Sequence, residues 1–199
     1  MSAQPLAGVV AGFADPVLDS QQAFRACLDA LAHPGRVVDL GPGLPSVPGL
    51  HAAAGALLLA LLDQDTSLWL SPSLAGGPVA ASLRFHTGCL LVGAPGEADF
   101  ALIGGPAELP PLDCFGAGSD EYPERSATLL VQVAAFQPGG WRLAGPGIRG
   151  EARLSIAGLA ADFPGQWERN CARFPRGVDL FLASGERLCG LPRTTRLEA

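Results

Sequence analysis

From Ala52 to Leu62 the chain runs eleven residues of Ala, Gly and Leu without a polar side chain. That is far short of the ~20 apolar residues that cross a bilayer. Leu50 to Leu62 therefore reads as a helix that is apolar all round and has to be enclosed by other elements. What encloses it can be read on either side. Helical patterns at Asp19/Ser20 to His33-Pro34-Gly35, where Phe24, Cys27, Leu28 and Leu31 share a face, at Val79 to Phe85 and at Leu159 to Ala172 alternate with strand patterns. The strand patterns are Arg36 to Leu40, Leu68 to Leu70, Phe100 to Ile103, Ser126 to Phe136 and Val178 to Ala183. Trp141 to Leu143 and Ala152 to Ile156 alternate apolar with polar residues about a glycine-rich turn, which predicts an antiparallel pair. The expected fold is α/β, a mixed-sheet layered fold, in one domain over residues 1–199. Gly41 to Gly49 and Ala107 to Tyr122 are expected loops, the second in a position to line a site.

Composition narrows the function. Hydrophobic residues make up 48% and charged ones 16%, which favours an oligomer or a larger complex over a lone monomer. A net charge of −6 disfavours nucleic acid as a partner, and no membrane span is visible. Met1 to Phe13 has neither a cationic start nor a cleavage pattern, so the expected location is the cytoplasm. Cys27, Cys89, Cys114, Cys171 and Cys189 have no Cys-x-x-Cys spacing and read as reduced core thiols, while His33, His51 and His86 lack metal-ligand spacing. Thirteen arginines carry every side-chain cation, for the chain contains no lysine. A side-chain Schiff base with pyridoxal phosphate (PLP) and a Walker phosphate loop are thereby excluded.

Three local patterns remain. Gly145-x-Gly147-x-x-Gly150 has the spacing of a dinucleotide fingerprint but leads into a strand pattern, so it reads as a tight turn. Asp120, Glu121 and Glu124 form an acidic turn with the composition of either a cation site or a solvated cap. Arg193-Thr194-Thr195-Arg196 places two guanidinium groups and two hydroxyls together, either as an oxyanion site or as surface salt bridges.

Gly12-Phe13-Ala14-Asp15-Pro16, Gln22-Ala23-Phe24-Arg25, Pro34-Gly35, Tyr122-Pro123-Glu124, Gly145-Pro146-Gly147-Ile148 and the block from Phe174 to Arg196 together resemble the PhnH family, a subunit of the bacterial carbon-phosphorus lyase system, over nearly the full length. The resemblance implies a cytoplasmic homodimer without cofactor, whose fold resembles the large domain of PLP-dependent transferases but lacks PLP. It implies a non-PLP accessory subunit acting with subunits G, I and L, in which a phosphonate displaces adenine from ATP to give a ribose 1-phosphonate 5-triphosphate. That chemistry is ascribed to subunit I, and a core assembly with subunits G, I and J is implied as well. Positions matching the family motifs nominate Arg25, Glu124, Ser126, Gly147, Asp179, Arg193, Thr194 and Thr195 as a ligand or interface set, with no catalytic role assigned to any. A phosphonate or ATP-derived molecule is the expected ligand. The alternative is a stand-alone regulator that binds a phosphonate or nucleotide on the same arginines. An independent enzyme is weakest, because the motifs assemble no nucleophile-base pair and no metal set.

Overall fold

In the computed structural model, residues 9–198 are described, with only the backbone of Pro138. Residues 1–8 of the segment read for a secretory signal lie outside them. In chain order the main elements are α1 (Pro16–Ala32), β1 (Val37–Asp39), α2 (Ala52–Leu61), β2 (Ser67–Leu70), α3 (Pro72–Ala75), α4 (Pro78–Thr87), β3 (Leu90–Leu91), β4 (Phe100–Ile103), β5 (Thr128–Gln132), β6 (Gln137–Ala144), β7 (Ala152–Ser155), α5 (Phe163–Ala172), β8 (Asp179–Ser184), β9 (Arg187–Leu191) and β10 (Arg196–Glu198).

Seven strands form a mixed sheet in the order β1-β9-β8-β5-β4-β2-β3. From β8 to β3 the pairings are parallel, whereas β9 turns back against β8 and β1 against β9. The order β10-β6-β7 gives a smaller antiparallel sheet. A strand's period of two divides each buried strand between two cores. Leu68, Leu102, Leu130 and Phe181 face a core closed by Cys27 and Ala30 of α1, Leu57 and Leu58 of α2 and Leu83 of α4. Trp69, Ile103, Leu129, Val131, Leu180 and Leu182 face the other, closed by Phe163 and Trp167 of α5 and by Leu143 and Leu154 of the small sheet. The apolar α2 is thus enclosed, as its composition requires.

Several expected boundaries and faces are corrected. The first helix is capped four or five residues earlier than Asp19 or Ser20 suggested: the Asp15 carboxylate accepts from the Val17 and Leu18 amides at 3.1 Å each, and Pro16 suits the first turn. Its buried stripe is Ala23, Cys27 and Ala30, while Phe24 and Leu28 point outward. Small residues win the inner face because α1 lies close on β9, where a Cβ at Gly190 would come within 2.5 Å of the Ala30 carbonyl oxygen. The last helix starts at Phe163, with Pro164 in its first turn, and not at Leu159 as expected. The strand expected over Ser126 to Phe136 contracts to β5, and β9 and β10 lie beyond Val178 to Ala183, the last strand expected. Cys114 is exposed and so is not a core thiol, unlike Cys27, Cys89 and Cys189.

Candidate functional site

After β9 the chain must leave the large sheet and enter the small one, and Pro192 to Thr195 makes that turn. The Thr195 amide donates to the Pro192 carbonyl at 2.8 Å. The turn carries Arg193 beneath the N-terminal ends of β5 and β8, where Asp179 opens β8 and Ser126 lies two residues before β5. A guanidinium has five N–H groups, and in Arg193 all are engaged. Nε donates to Asp179 Oδ1 at 3.1 Å, Nη1 to the carbonyls of Pro123 and Pro175 at 3.1 Å each, and Nη2 to Ser126 Oγ at 2.5 Å and Asp179 Oδ2 at 2.6 Å. The Arg193 amide also donates to Asp179 Oδ1 at 2.7 Å. With side chains only 12% and 22% exposed, the Arg193–Asp179 ion pair is largely shielded from water.

Of the nominated residues, Ser126, Asp179 and Arg193 therefore form one cluster. Glu124 sits beside it, in a short 3₁₀ turn (Pro123–Arg125), but its side chain is exposed. Thr194 is exposed and Thr195 fully buried, so the two hydroxyls of the Arg-Thr-Thr-Arg stretch face opposite ways. Gly147, at φ 82°, brings the β6–β7 turn onto the end of α1, where any Cβ would collide with the Ala32 carbonyl. Arg25 is exposed on α1, a helix whose buried residues belong to the opposite core from α5. It joins neither this cluster nor any ion pair among the described residues. In the acidic turn, Asp120 pairs with Arg176 at 3.1 Å. Among the described residues no three His, Cys, Asp or Glu side chains are grouped to hold a metal.

Beside the cluster, between α5 and the segment 193–198, opens a cleft of about 570 Å³ whose lining includes Glu168, Cys171, Phe174, Thr194, Arg196 and Leu197. Its walls are mostly apolar. The buried Thr195 carbonyl behind this wall accepts from Trp167 Nε1 at 2.8 Å and from Cys171 Sγ at 3.3 Å. Burial pushes the Cys171 thiol up to about 11, so at neutral pH it is neither a thiolate nor a ready nucleophile. Burial likewise raises Cys27 and Cys189 to about 12.

Two buried amides escaped the sequence analysis. Asn170 in α5 reaches Val178 with both ends, accepting from its amide at 2.8 Å and donating to its carbonyl at 2.9 Å, and so fixes the approach to Asp179. Gln132, at the C-terminal end of β5, accepts from the His51 amide at 2.5 Å and donates to the Gly49 carbonyl at 3.0 Å. His51 Nδ1 accepts from the Gly185 amide at 2.6 Å. For Gln132 the available signal was an amide side chain inside an otherwise apolar stretch, which burial obliges to find partners; Asn170, among Glu168, Arg169 and Arg173, carried no such signal. The C-terminal ends of β5 and β8, on the side where open α/β sheets most often bind ligands, are thus tied up by Gln132 and His51. The Arg193 cluster lies at the N-terminal ends.

Residues 11–198 match the family described as bacterial phosphonate metabolism protein (PhnH). The chain belongs to the PhnH family. A Rhizobium meliloti (strain 1021) protein named alpha-D-ribose 1-methylphosphonate 5-triphosphate synthase subunit PhnH is 41% identical over 188 residues, 94% of each chain. A Stutzerimonas stutzeri protein named putative C-P lyase subunit protein HtxG is 37% identical over 183 residues, 89% of this chain and 85% of its own. Both the Arg193 cluster and the α5–β10 cleft fall inside the stretch matched to PhnH.

Proposed function

We propose that this chain is an accessory subunit of the carbon-phosphorus lyase pathway, acting with subunits G, I and L when the ribose triphosphate moiety of ATP is transferred to an alkylphosphonate. The observation that carries this reading is 41% identity, over 94% of both chains, to a protein named as a subunit of the corresponding synthase. In the same reading the subunit works in the cytoplasm without cofactor, in a core assembly with subunits G, I and J, and forms a homodimer when isolated. An accessory role agrees with the Arg193 geometry. A guanidinium whose five donors all bind the chain's own Asp179, Ser126, Pro123 and Pro175 shapes a surface more readily than it grips substrate. A homodimer agrees with α1, whose Val17, Leu18, Phe24 and Leu28 are 76%, 56%, 46% and 53% exposed, an apolar face that a second copy would cover. The likeness to the large domain of PLP-dependent transferases belongs to this proposal too.

The test is complementation. A bacterium that lacks its own H subunit, given this chain, should regain growth on methylphosphonate as sole phosphorus source, and tagged chain should co-purify with subunits G, I and J. Folded, expressed chain that neither restores growth nor binds the sister subunits would refute the assignment.

A further inference from the structure

The α5–β10 cleft is lined by two opposite charges that form no ion pair with each other. Its volume, about 570 Å³, is that of a small-molecule site, ~300–1,000 Å³, and its apolar walls with few polar groups follow the same pattern. Four charged residues contribute to the lining, Arg193, Arg196 and Glu198 on the strand side and Glu168 on the helix: of these, Arg193 is fully engaged by Asp179 and its neighbours, and Glu198 pairs with Arg142 at 3.4 Å. Arg196 and Glu168 remain, both exposed and neither in an ion pair among the described residues.

Each is fixed by its element. Arg196 stands opposite Ala144 in the β10–β6 register, and Thr194, two residues earlier and exposed like it, lines the same cleft. Glu168 lies on the face of α5 that also presents Pro164, Cys171 and Ala172 to the cleft. Both charges act on the Cys171 thiol, Arg196 lowering and Glu168 raising its pKa, so both lie within electrostatic reach of one sulfur. A monovalent anion would satisfy Arg196 and leave Glu168, in the lining of the same cleft, unpaired.

We infer that the cleft binds a small zwitterion: a carboxylate or phosphorus oxyanion held by the Arg196 guanidinium and the Thr194 hydroxyl, and an ammonium group held by Glu168, joined by a short spacer against Ala172, Phe174 and Leu197. The planar paired donors of a guanidinium suit either oxyanion.

Calorimetric titration of the full chain tests this with 2-aminoethylphosphonate and β-alanine, each beside its amine-free counterpart, ethylphosphonate and propionate. One zwitterion should bind about tenfold or more tightly than its counterpart, a gap of about 1.4 kcal/mol. Whichever zwitterion binds identifies the oxyanion. Arg196→Gln should weaken that binding about tenfold, with Arg196→Lys between the two, and Glu168→Gln should abolish the preference for the amine. Melting curves of the variants, all at exposed positions, should stay at the parent value. Absence of heat from both zwitterions at millimolar concentration overturns the inference, as does binding that Arg196→Gln leaves unchanged or that the amine-free acids equal. Titration of the isolated chain reports on the cleft alone, and growth on methylphosphonate reports on the complex, so the two failures are distinguishable.

Discussion

Arg193 joins four parts of the chain that are remote in sequence: the 3₁₀ turn at Pro123, Ser126 ahead of β5, Pro175 after α5, and Asp179 at the head of β8. Removing the guanidinium takes the cation from the poorly hydrated Asp179 carboxylate, which keeps the Arg193 amide, and takes a donor from each of the Pro123 and Pro175 carbonyls, of which Pro123 keeps the Ser126 amide. Arg193→Ala should therefore lower stability by about 3 kcal/mol, and Arg193→Lys, with three donors and no planar fork, by about 1–3 kcal/mol. Urea unfolding midpoints at neutral pH measure both, and a change near zero in each would show that the cluster does not support the fold. His51 gives a second residue-scale prediction. Burial lowers its pKa below the ordinary 6.5, so the unfolded chain takes up a proton at a pH where the folded chain does not. His51 therefore leaves stability unaffected above that value, and weakens the fold progressively as pH falls below it toward the folded pKa. Between about pH 7 and about pH 5 the melting temperature should fall less in His51→Asn, which keeps an acceptor for the Gly185 amide, than in the parent chain. Equal falls would show that His51 does not contribute to the pH dependence.

At the scale of elements, the turn between β6 and β7 docks on the end of α1 through Gly147. Gly147→Ala combines a left-handed φ of 82° with a backbone collision at Ala32, neither of which a rotamer change relieves, so a loss of at least about 1 kcal/mol is expected. A urea midpoint equal to the parent's would show that the turn can lift off without consequence. Gly147 was nominated by its motif and Gly145-Pro146-Gly147 was legible as a turn, but nothing local in the sequence names Ala32 as the neighbour. The same distinction runs through the fold. Apolar runs placed α2, β2, β4 and β8, because composition alone decides that such segments are buried. The inner face of α1 was misread, since Phe24 and Leu28 carry the larger hydrophobic signal while the close approach of Gly190 favours Ala23, Cys27 and Ala30. β9 folds back on its neighbour β8 and also pairs with β1, and β10 pairs with β6; β1 and β6 are distant partners that no periodicity within Arg187 to Glu198 reveals. In the site, the motif brought forward Ser126, Asp179 and Arg193, yet the cleft wall formed by Glu168 and Cys171 depends on how α5 packs and was not legible.

For the whole molecule, the exposed apolar face of α1 predicts self-association. Light scattering at micromolar concentration should give twice the 20.4 kDa chain mass, and Phe24→Ser with Leu28→Ser should shift it toward one chain while the secondary structure is retained. A monomer before substitution would refute the homodimer. The Arg193 cluster also constrains the order in which the molecule can be completed. During synthesis, Pro123, Ser126, Pro175 and Asp179 all leave the ribosome before the residue that binds them together. Until Arg193 emerges, Asp179 has no cation beside it and the head of β8 is not tied to the approach to β5. The N-terminal ends of β5 and β8 can therefore be joined only once Arg193 has been made, and a chain stalled or cut before Pro192 would lack the cation that holds them together.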